Sequence, residues 1–113
     1  MATRLPAHDP DDVEPYFVVW CDEDGTNTNT AGSDGELQGA TISTSAFTMT
    51  GVTLDSENSA AVTIKGVSYG INTVSTAWIS AGTAGADATG TCVITTSDSR
   101  TLSKSIIIPV RER

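Results

Sequence analysis

The feature that most constrains the fold of this chain is its wealth of β-branched and hydroxyl side chains in short alternating segments. Its 113 residues include 18 Thr, 12 Ser and 17 Val or Ile, against four Leu. β-Branched side chains lose χ1 freedom in a helix and pack well on a pleated surface, so they favour strands. No window predicts a helix. We therefore expect an all-β domain.

Seven segments show strand-like patterns and are separated by turn signals roughly every ten residues, a spacing typical of a two-sheet antiparallel sandwich. The predicted strands cover residues 16–21, 37–44, 47–54, 62–65, 72–79, 91–96 and 101–110. A turn near Ser45 and Ala46 divides the second predicted strand from the third. Trp78 is predicted to be the best core anchor, because a large aromatic side chain buries the most apolar surface.

Residues 1–15 differ in composition from the rest of the chain. They contain three prolines and four acids, and almost no side chain that could be buried. Such a segment cannot offset the entropy of its own ordering, so we predict an extended N-terminal arm, followed by a sandwich domain over residues 16–113. The segment also lacks the apolar stretch of a secretory signal, and we do not expect export by that route.

The net charge restricts the classes of partner. Fourteen acids and six bases give a formal charge of −8, which repels phosphate backbones. The longest apolar run, residues 16–21, has six members and is too short to cross a bilayer. We expect a soluble protein that binds neither nucleic acid nor membrane.

A polar loop over residues 22–35 raises the question of a calcium site, because hard oxygen ligands suit that ion. Its candidate ligands are Asp22, Asp24, Asp34 and Glu36. If Gly25 took the glycine position of a helix-loop-helix site, however, the first and twelfth ligands would be Trp20 and Ala31. The spacing favours an ordinary solvated loop, and we predict no metal site.

The sequence also gives only weak signs of a catalytic site. His8 is the sole histidine and lies in the predicted arm, so a Ser-His-Asp relay would require the arm to become ordered against a serine. The paired carboxylates of the loop have no evident aromatic cleft that would bind a sugar. We expect no catalytic residue, no cofactor and no enzymatic activity. A carbohydrate-binding sandwich remains an alternative, because the chain has exposed loops and two Trp residues.

Two cysteines leave two alternatives open. Cys21 and Cys92 lie in apolar stretches and could form an inter-sheet bridge of the immunoglobulin type. The tyrosine expected two residues before the second cysteine is replaced by Gly90, which favours two reduced, buried thiols that pack as small hydrophobic groups.

Charges are distributed unevenly along the chain. Nine of the fourteen acids occur by Glu36, whereas four of the six bases lie in residues 100–113. Two interpretations remain open: both termini are simply hydrated, or the acidic arm of one subunit docks near the basic tail of a neighbour.

Three stretches together carry a resemblance to a known family. They are YFVVWCDEDGTNTNTAGSDGELQGATIST at 16–44, WISAGTAG at 78–85 and TTSDSRTLSKSIIIPVRER at 95–113. In this order and spacing they resemble small virion proteins of tailed bacteriophages, the fiber-tail adaptor or head-tail junction proteins with an immunoglobulin-like sandwich. The match covers nearly all of the chain after the arm.

The resemblance implies a non-enzymatic structural protein of the virion that is assembled in the bacterial cytoplasm and needs no cofactor. It would join the tail or connector to tail fibers as a homo-oligomeric ring. The candidate contact residues are Asp9, Asp11, Asp12, Glu14, Tyr16, Arg111 and Arg113. For each of them a solvated or core role is an open alternative. A capsid decoration or head fiber protein is the alternative within the same virion class.

Overall fold

A computed structural model describes residues 3–22, 24–28 and 35–112. This part of the chain contains nine strands and no helix, and hence no helix that could span a membrane. The strands are β1 (Thr3–Arg4), β2 (Glu14–Val19), β3 (Ile42–Thr50), β4 (Thr53–Asn58), β5 (Val62–Ile64), β6 (Val67–Tyr69), β7 (Val74–Ser80), β8 (Asp87–Thr96) and β9 (Thr101–Pro109).

Two larger sheets form a sandwich, which confirms the all-β fold predicted from the sequence. One sheet has the order β1-β9-β8-β3, and the other has the order β2-β7-β4. All neighbours in these sheets are antiparallel except β1, which runs parallel to β9. Strands β5 and β6 form a separate hairpin.

Alternate residues of the central strands fill the space between the sheets. Completely buried aliphatic side chains among them are Ile79, Ile94 and Ile108, joined by Leu37 from the loop before β3. Their neighbours in β8 and β9 point outward and are mostly hydroxyl-bearing, because successive side chains of a strand face opposite sides of the sheet. The period-two pattern of the sequence therefore becomes one buried face and one hydrated face.

The predicted position of the turn within residues 37–54 is wrong. Ser45 and Ala46, expected in a turn, lie within β3 and pair with Ile94 and Val93 of β8. The chain reverses instead at Gly51, whose φ of 94° is a conformation that L side chains rarely adopt. Two further boundaries differ: β8 begins at Asp87 rather than residue 91, and the region after residue 62 is a short hairpin rather than one strand.

The prediction that Trp78 is the best core anchor is wrong, and Trp20 is the tryptophan buried in the core. Trp78 lies on the outer side of β7 and is 38% exposed, whereas Ser75, Ala77 and Ile79 of the same strand face the core. Trp20, which follows β2, is only 1% exposed and donates its indole N–H to Ser75 Oγ over 3.0 Å. Alternation established that the two faces of β7 differ, but the side with the large aromatic residue is the outer one.

Both cysteines are buried free thiols, as the sequence favoured. Burial raises the pKa of Cys21 and of Cys92, so the neutral thiol is the stable form. At Gly90, two residues before Cys92, any side chain would collide with Met49 Sδ and the Thr48 carbonyl. The immunoglobulin-type tyrosine therefore has no room at this position.

We predict that Trp20→Ala lowers the free energy of unfolding by about 3–5 kcal/mol, because it removes a fully buried aromatic side chain. Trp78→Ala is the matched control and should cost less than about 1.5 kcal/mol, since its side chain is partly hydrated. Denaturant unfolding followed by circular dichroism measures both values. Equal losses for the two variants would contradict this assignment of the core.

Candidate partner-contact surface

The N-terminal segment lies along the last strand of the sandwich. Beyond the β1–β9 pairing, Leu5 N–H donates to Ile107 O and His8 N–H donates to Pro109 O, both over 2.8 Å. Arg111 N–H returns a bond of 2.9 Å to His8 O. These bonds place the acidic N-terminal residues beside the C-terminal tail of the same chain.

His8 lies at the centre of the junction between the N-terminal segment and the C-terminal tail, and its side chain is completely buried. Its Nε2 lies 3.0 Å from Ala81 O, and its Nδ1 lies 3.2 Å from Glu14 Oε2. Because a carbonyl oxygen only accepts, Nε2 must carry a proton and donate it. The Tyr16 hydroxyl donates to the same Glu14 oxygen over 3.2 Å. With both of its ring nitrogens engaged, His8 is a structural residue and cannot serve as the base of a serine relay.

The acids that follow His8 form a tight turn. Asp9 O accepts the Asp12 N–H over 3.0 Å, and Asp9 Oδ1 accepts the Asp11 N–H over 2.9 Å. Such self-bonding by an aspartate is a common way to close a turn. Asp9 is buried by it, whereas Asp11 is exposed at the tip and Val13, just beyond, is 62% exposed.

Glu112 joins the acidic turn from the C-terminal tail. Carboxylate oxygens of Asp9, Asp11 and Glu112 all lie within 4.8 Å of one another. Exposed acids often cluster in this way without a metal ion, and the three carboxylates form a negative patch. Sequence reasoning missed Glu112, because only the pairing of His8 with the tail brings it to the turn.

The structure brings six of the seven predicted contact residues to this end of the molecule. Asp11 and Arg111 are exposed, and Asp12 and Glu14 are half-buried. Asp9 and Tyr16 are buried. The seventh, Arg113, lies outside the described residues. We give the name terminal surface to the exposed residues Asp11, Val13, Arg111 and Glu112 together with the half-buried Asp12.

An apolar groove of about 500 Å³ lies beside the terminal surface. Its lining includes Leu5, Pro6 and Ala7 of the N-terminal segment, Phe17 of β2 and Ile64 of β5. The groove gives this end of the molecule a hydrophobic recess next to its charged tip.

Charged side chains in the loop that was predicted at residues 22–35 make hydrogen bonds within the chain. Asp22 is buried; its Oδ1 accepts the Gly35 N–H over 2.7 Å and its Oδ2 accepts the Thr26 hydroxyl over 3.1 Å. Thr26 also donates to Asp24, and these bonds lower the pKa of the Asp24 carboxyl. Asp22 and Asp24 therefore order the loop itself. Asp34, the third loop acid considered above, lies outside the described residues.

Two of the C-terminal bases also make internal contacts. Arg100 donates to Glu36 O and Leu37 O over 2.9 and 2.7 Å, and its Nε bonds the Asp98 carboxylate. Lys104 Nζ lies 3.1 Å from Glu36 Oε1 and 4.9 Å from the centre of a Trp20 ring. Both bases fasten the loop after β2 to the β8–β9 hairpin.

We predict that His8→Ala lowers the free energy of unfolding by about 2–4 kcal/mol, because it creates a cavity and removes both side-chain hydrogen bonds. Val13→Ala, at an exposed position just beyond the acidic turn, is the control and should change stability by less than about 0.5 kcal/mol. Urea unfolding measures both. If His8→Ala left the free energy of unfolding unchanged, His8 would not be the residue that holds the N-terminal segment to the C-terminal tail.

Burial and the neighbouring charge of Asp12 raise the pKa of Tyr16 from 10.0 to about 12. The neutral phenol is therefore favoured in the folded state, and its contribution to stability is complete below pH 10 and is lost as the pH rises towards 12. We predict that the difference between the ultraviolet titrations of wild type and Tyr16→Phe has its midpoint near 12. A midpoint near 10 would contradict the burial of this hydroxyl.

Comparison with known proteins gives one family match. The family described as "Podophage GP4 fiber-tail adaptor protein gp77" matches residues 9–109, which include both larger sheets except β1. No curated protein and no solved structure matches the chain.

Proposed function

The chain belongs to the podophage GP4 fiber-tail adaptor family, and we propose that it joins the phage tail to the tail fibers through protein–protein contacts in a symmetric ring of copies. The family establishes a structural component of the phage virion, in agreement with the resemblance noted in the sequence. The single observation that carries the proposal is the match over residues 9–109.

The terminal surface supports a role in contacts with other virion proteins. It combines exposed charges of both signs, from Asp11, Arg111 and Glu112, with the exposed Val13 and the adjoining apolar groove. Charged rims around a hydrophobic recess are typical of specific protein interfaces, where charge governs orientation and apolar contact supplies affinity. Asp9, Glu14 and Tyr16 support this surface from beneath through the His8 junction.

A rigid attachment of both termini favours an adaptor over a flexible tether. The main-chain bonds between His8 and residues 109 and 111 hold the acidic turn in one place relative to the sandwich. A preorganised surface loses less entropy on binding than a mobile one.

We also propose that assembly occurs in the host cytoplasm, where the free thiols of Cys21 and Cys92 would remain reduced.

We predict that Asp11→Lys and Arg111→Glu each weaken binding to the tail or to the fiber by about tenfold or more, since both reverse a charge on the terminal surface. Asp55→Lys, a matched charge reversal on the exposed side of β4, should bind as wild type does. Purified variants are incubated with adaptor-depleted tail particles and with isolated fiber protein, and bound protein is measured after sedimentation.

Two results would count against the proposal. If wild-type protein binds neither the tail particles nor the fiber protein, the adaptor function is wrong. If the wild type binds and Asp55→Lys is as harmful as the two variants of the terminal surface, that surface is not the contact.

A further inference from the structure

The contact between the His8 ring and the Glu14 carboxylate is complete only when the pair holds one additional proton. His8 Nε2 carries a hydrogen, because the Ala81 carbonyl oxygen 3.0 Å away can only accept. In a neutral ring the other nitrogen, Nδ1, is then bare and is an acceptor. It lies 3.2 Å from Glu14 Oε2, which is also an acceptor when the carboxylate is ionised. One proton between Nδ1 and Oε2 turns this repulsive contact into a hydrogen bond.

The surroundings fix the His8 ring in this orientation. A ring turned over by 180° would place carbon atoms against Ala81 O and Glu14 Oε2, and it would lose both hydrogen bonds in a completely buried position. The main chain of His8 is also held, since its N–H donates to Pro109 O and its carbonyl accepts the Arg111 N–H. The two acceptor atoms therefore stay opposed whenever the proton is absent and the junction is closed.

The Ala81 carbonyl that faces His8 belongs to a closely packed turn after β7. Ala81 and Gly82 have φ angles of 62° and 108°. A Cβ atom on Gly82 would lie 3.1 Å from Gly51 O and 3.1 Å from a methyl carbon of Val110. This packing opposes a reversal of the 81–82 peptide that would offer His8 an N–H instead of a carbonyl. The hydrogen on Nε2 is therefore required by the fold.

Glu14 gives the buried pair access to water. Its side chain is 22% exposed, whereas the His8 side chain is not exposed at all. A proton can therefore pass between the pair and solvent through the carboxylate while the sandwich stays folded. The Tyr16 hydroxyl does not supply this proton, because it already donates to Glu14 Oε2 and its pKa is raised to about 12.

The charges on the elements around the pair favour retention of a proton. Acidic residues outnumber basic ones there, and a net negative charge stabilises the proton-bearing form of a nearby group. The titratable or charged residues on these elements are Arg4 of β1, Asp9, Asp11 and Asp12 of the acidic turn, Glu14 and Tyr16 of β2, Lys65 after β5, Asp87 of β8, and Arg111 and Glu112 of the C-terminal tail.

We infer that the His8–Glu14 pair is a pH-dependent latch, which holds the N-terminal segment on the sandwich while it retains the shared proton and releases the segment as the pH rises. When the pair loses its proton to water, Nδ1 and Oε2 face each other as two acceptors, and neither can donate. Separation of the segment from β9 then lets water satisfy both atoms.

Proton linkage sets the direction and size of the effect. In an open or unfolded chain a hydrated histidine gives up its proton at about pH 6.5. Above that pH the closed junction binds one proton more than the open one, so the equilibrium shifts towards the open form by up to about tenfold per pH unit. The inference goes beyond the adaptor role, because it concerns the single chain and requires no partner.

The decisive variant is Glu14→Gln. The glutamine amide can donate one hydrogen to the bare Nδ1 and its other hydrogen to the Tyr16 hydroxyl, so the closed junction no longer needs a proton from solvent. We expect the unfolding constant of the wild type, divided by that of Glu14→Gln, to rise about tenfold between pH 6 and pH 8. Urea unfolding of the full chain measures both constants. The buried thiols are the same in the two proteins and cancel in the ratio.

Glu57→Gln is the matched control. It makes the same carboxylate-to-amide change, and its remaining oxygen can still accept the Phe47 N–H. We expect it to keep the pH dependence of the wild type. If Glu14→Gln does not fold, His8→Gln takes its place; it removes the only histidine of the chain and should abolish the fall in stability between pH 6 and pH 8.

Hydrogen exchange shows whether the junction opens in the folded protein. The His8 and Arg111 amides bond across the junction. We expect their exchange in the wild type, divided by that in Glu14→Gln at the same pH, to rise about tenfold from pH 6 to pH 8.

Three results would overturn the latch. They are an equal pH dependence of unfolding in the wild type and Glu14→Gln, loss of that dependence in Glu57→Gln as well, and an exchange ratio at the junction that does not change with pH. None of these measurements uses tail particles or fiber protein, so failure of the latch leaves the adaptor role standing, and failure of binding leaves the latch standing.

Discussion

Burial of alternate side chains between two sheets is the interaction on which the rest of this protein depends. Ile79, Ile94 and Ile108 come from three strands and are fully shielded from solvent. Each contributes about 1.5–3 kcal/mol when it leaves water. Because inward and outward positions alternate along most of β8 and β9, this one requirement also decides which of their residues remain at the surface and can meet another protein.

The protein uses many of its charges to hold itself together rather than to bind partners. Asp22 orders the loop after β2, and Arg100 and Lys104 connect that loop to the β8–β9 hairpin. His8 and Glu14 satisfy each other beneath the acidic turn. Asp11, Arg111 and Glu112 of the terminal surface, by contrast, stay exposed to solvent.

The sequence was informative where a local pattern decides the structure. Alternation in residues 74–80 and 87–96 reflects real strands, and the absence of a tyrosine before Cys92 agreed with two free thiols. The sequence was misleading where the structure depends on which of two strand faces is buried or on where a strand ends. Nothing local indicates that Trp20 is inside and Trp78 outside, because that depends on which face of β7 meets the opposite sheet. The position of His8 depends on residues more than 70 positions away, and Glu112 became recognisable only through it.

The union of the first and last segments also has a consequence for biosynthesis. His8 bonds residues 109 and 111, which lie far from it along the chain. During translation residue 8 must wait for residues 109–111 to leave the ribosome, and a nascent or truncated product that lacks them keeps this end of the sandwich open. The acidic turn therefore takes its final place only after those residues have been synthesised.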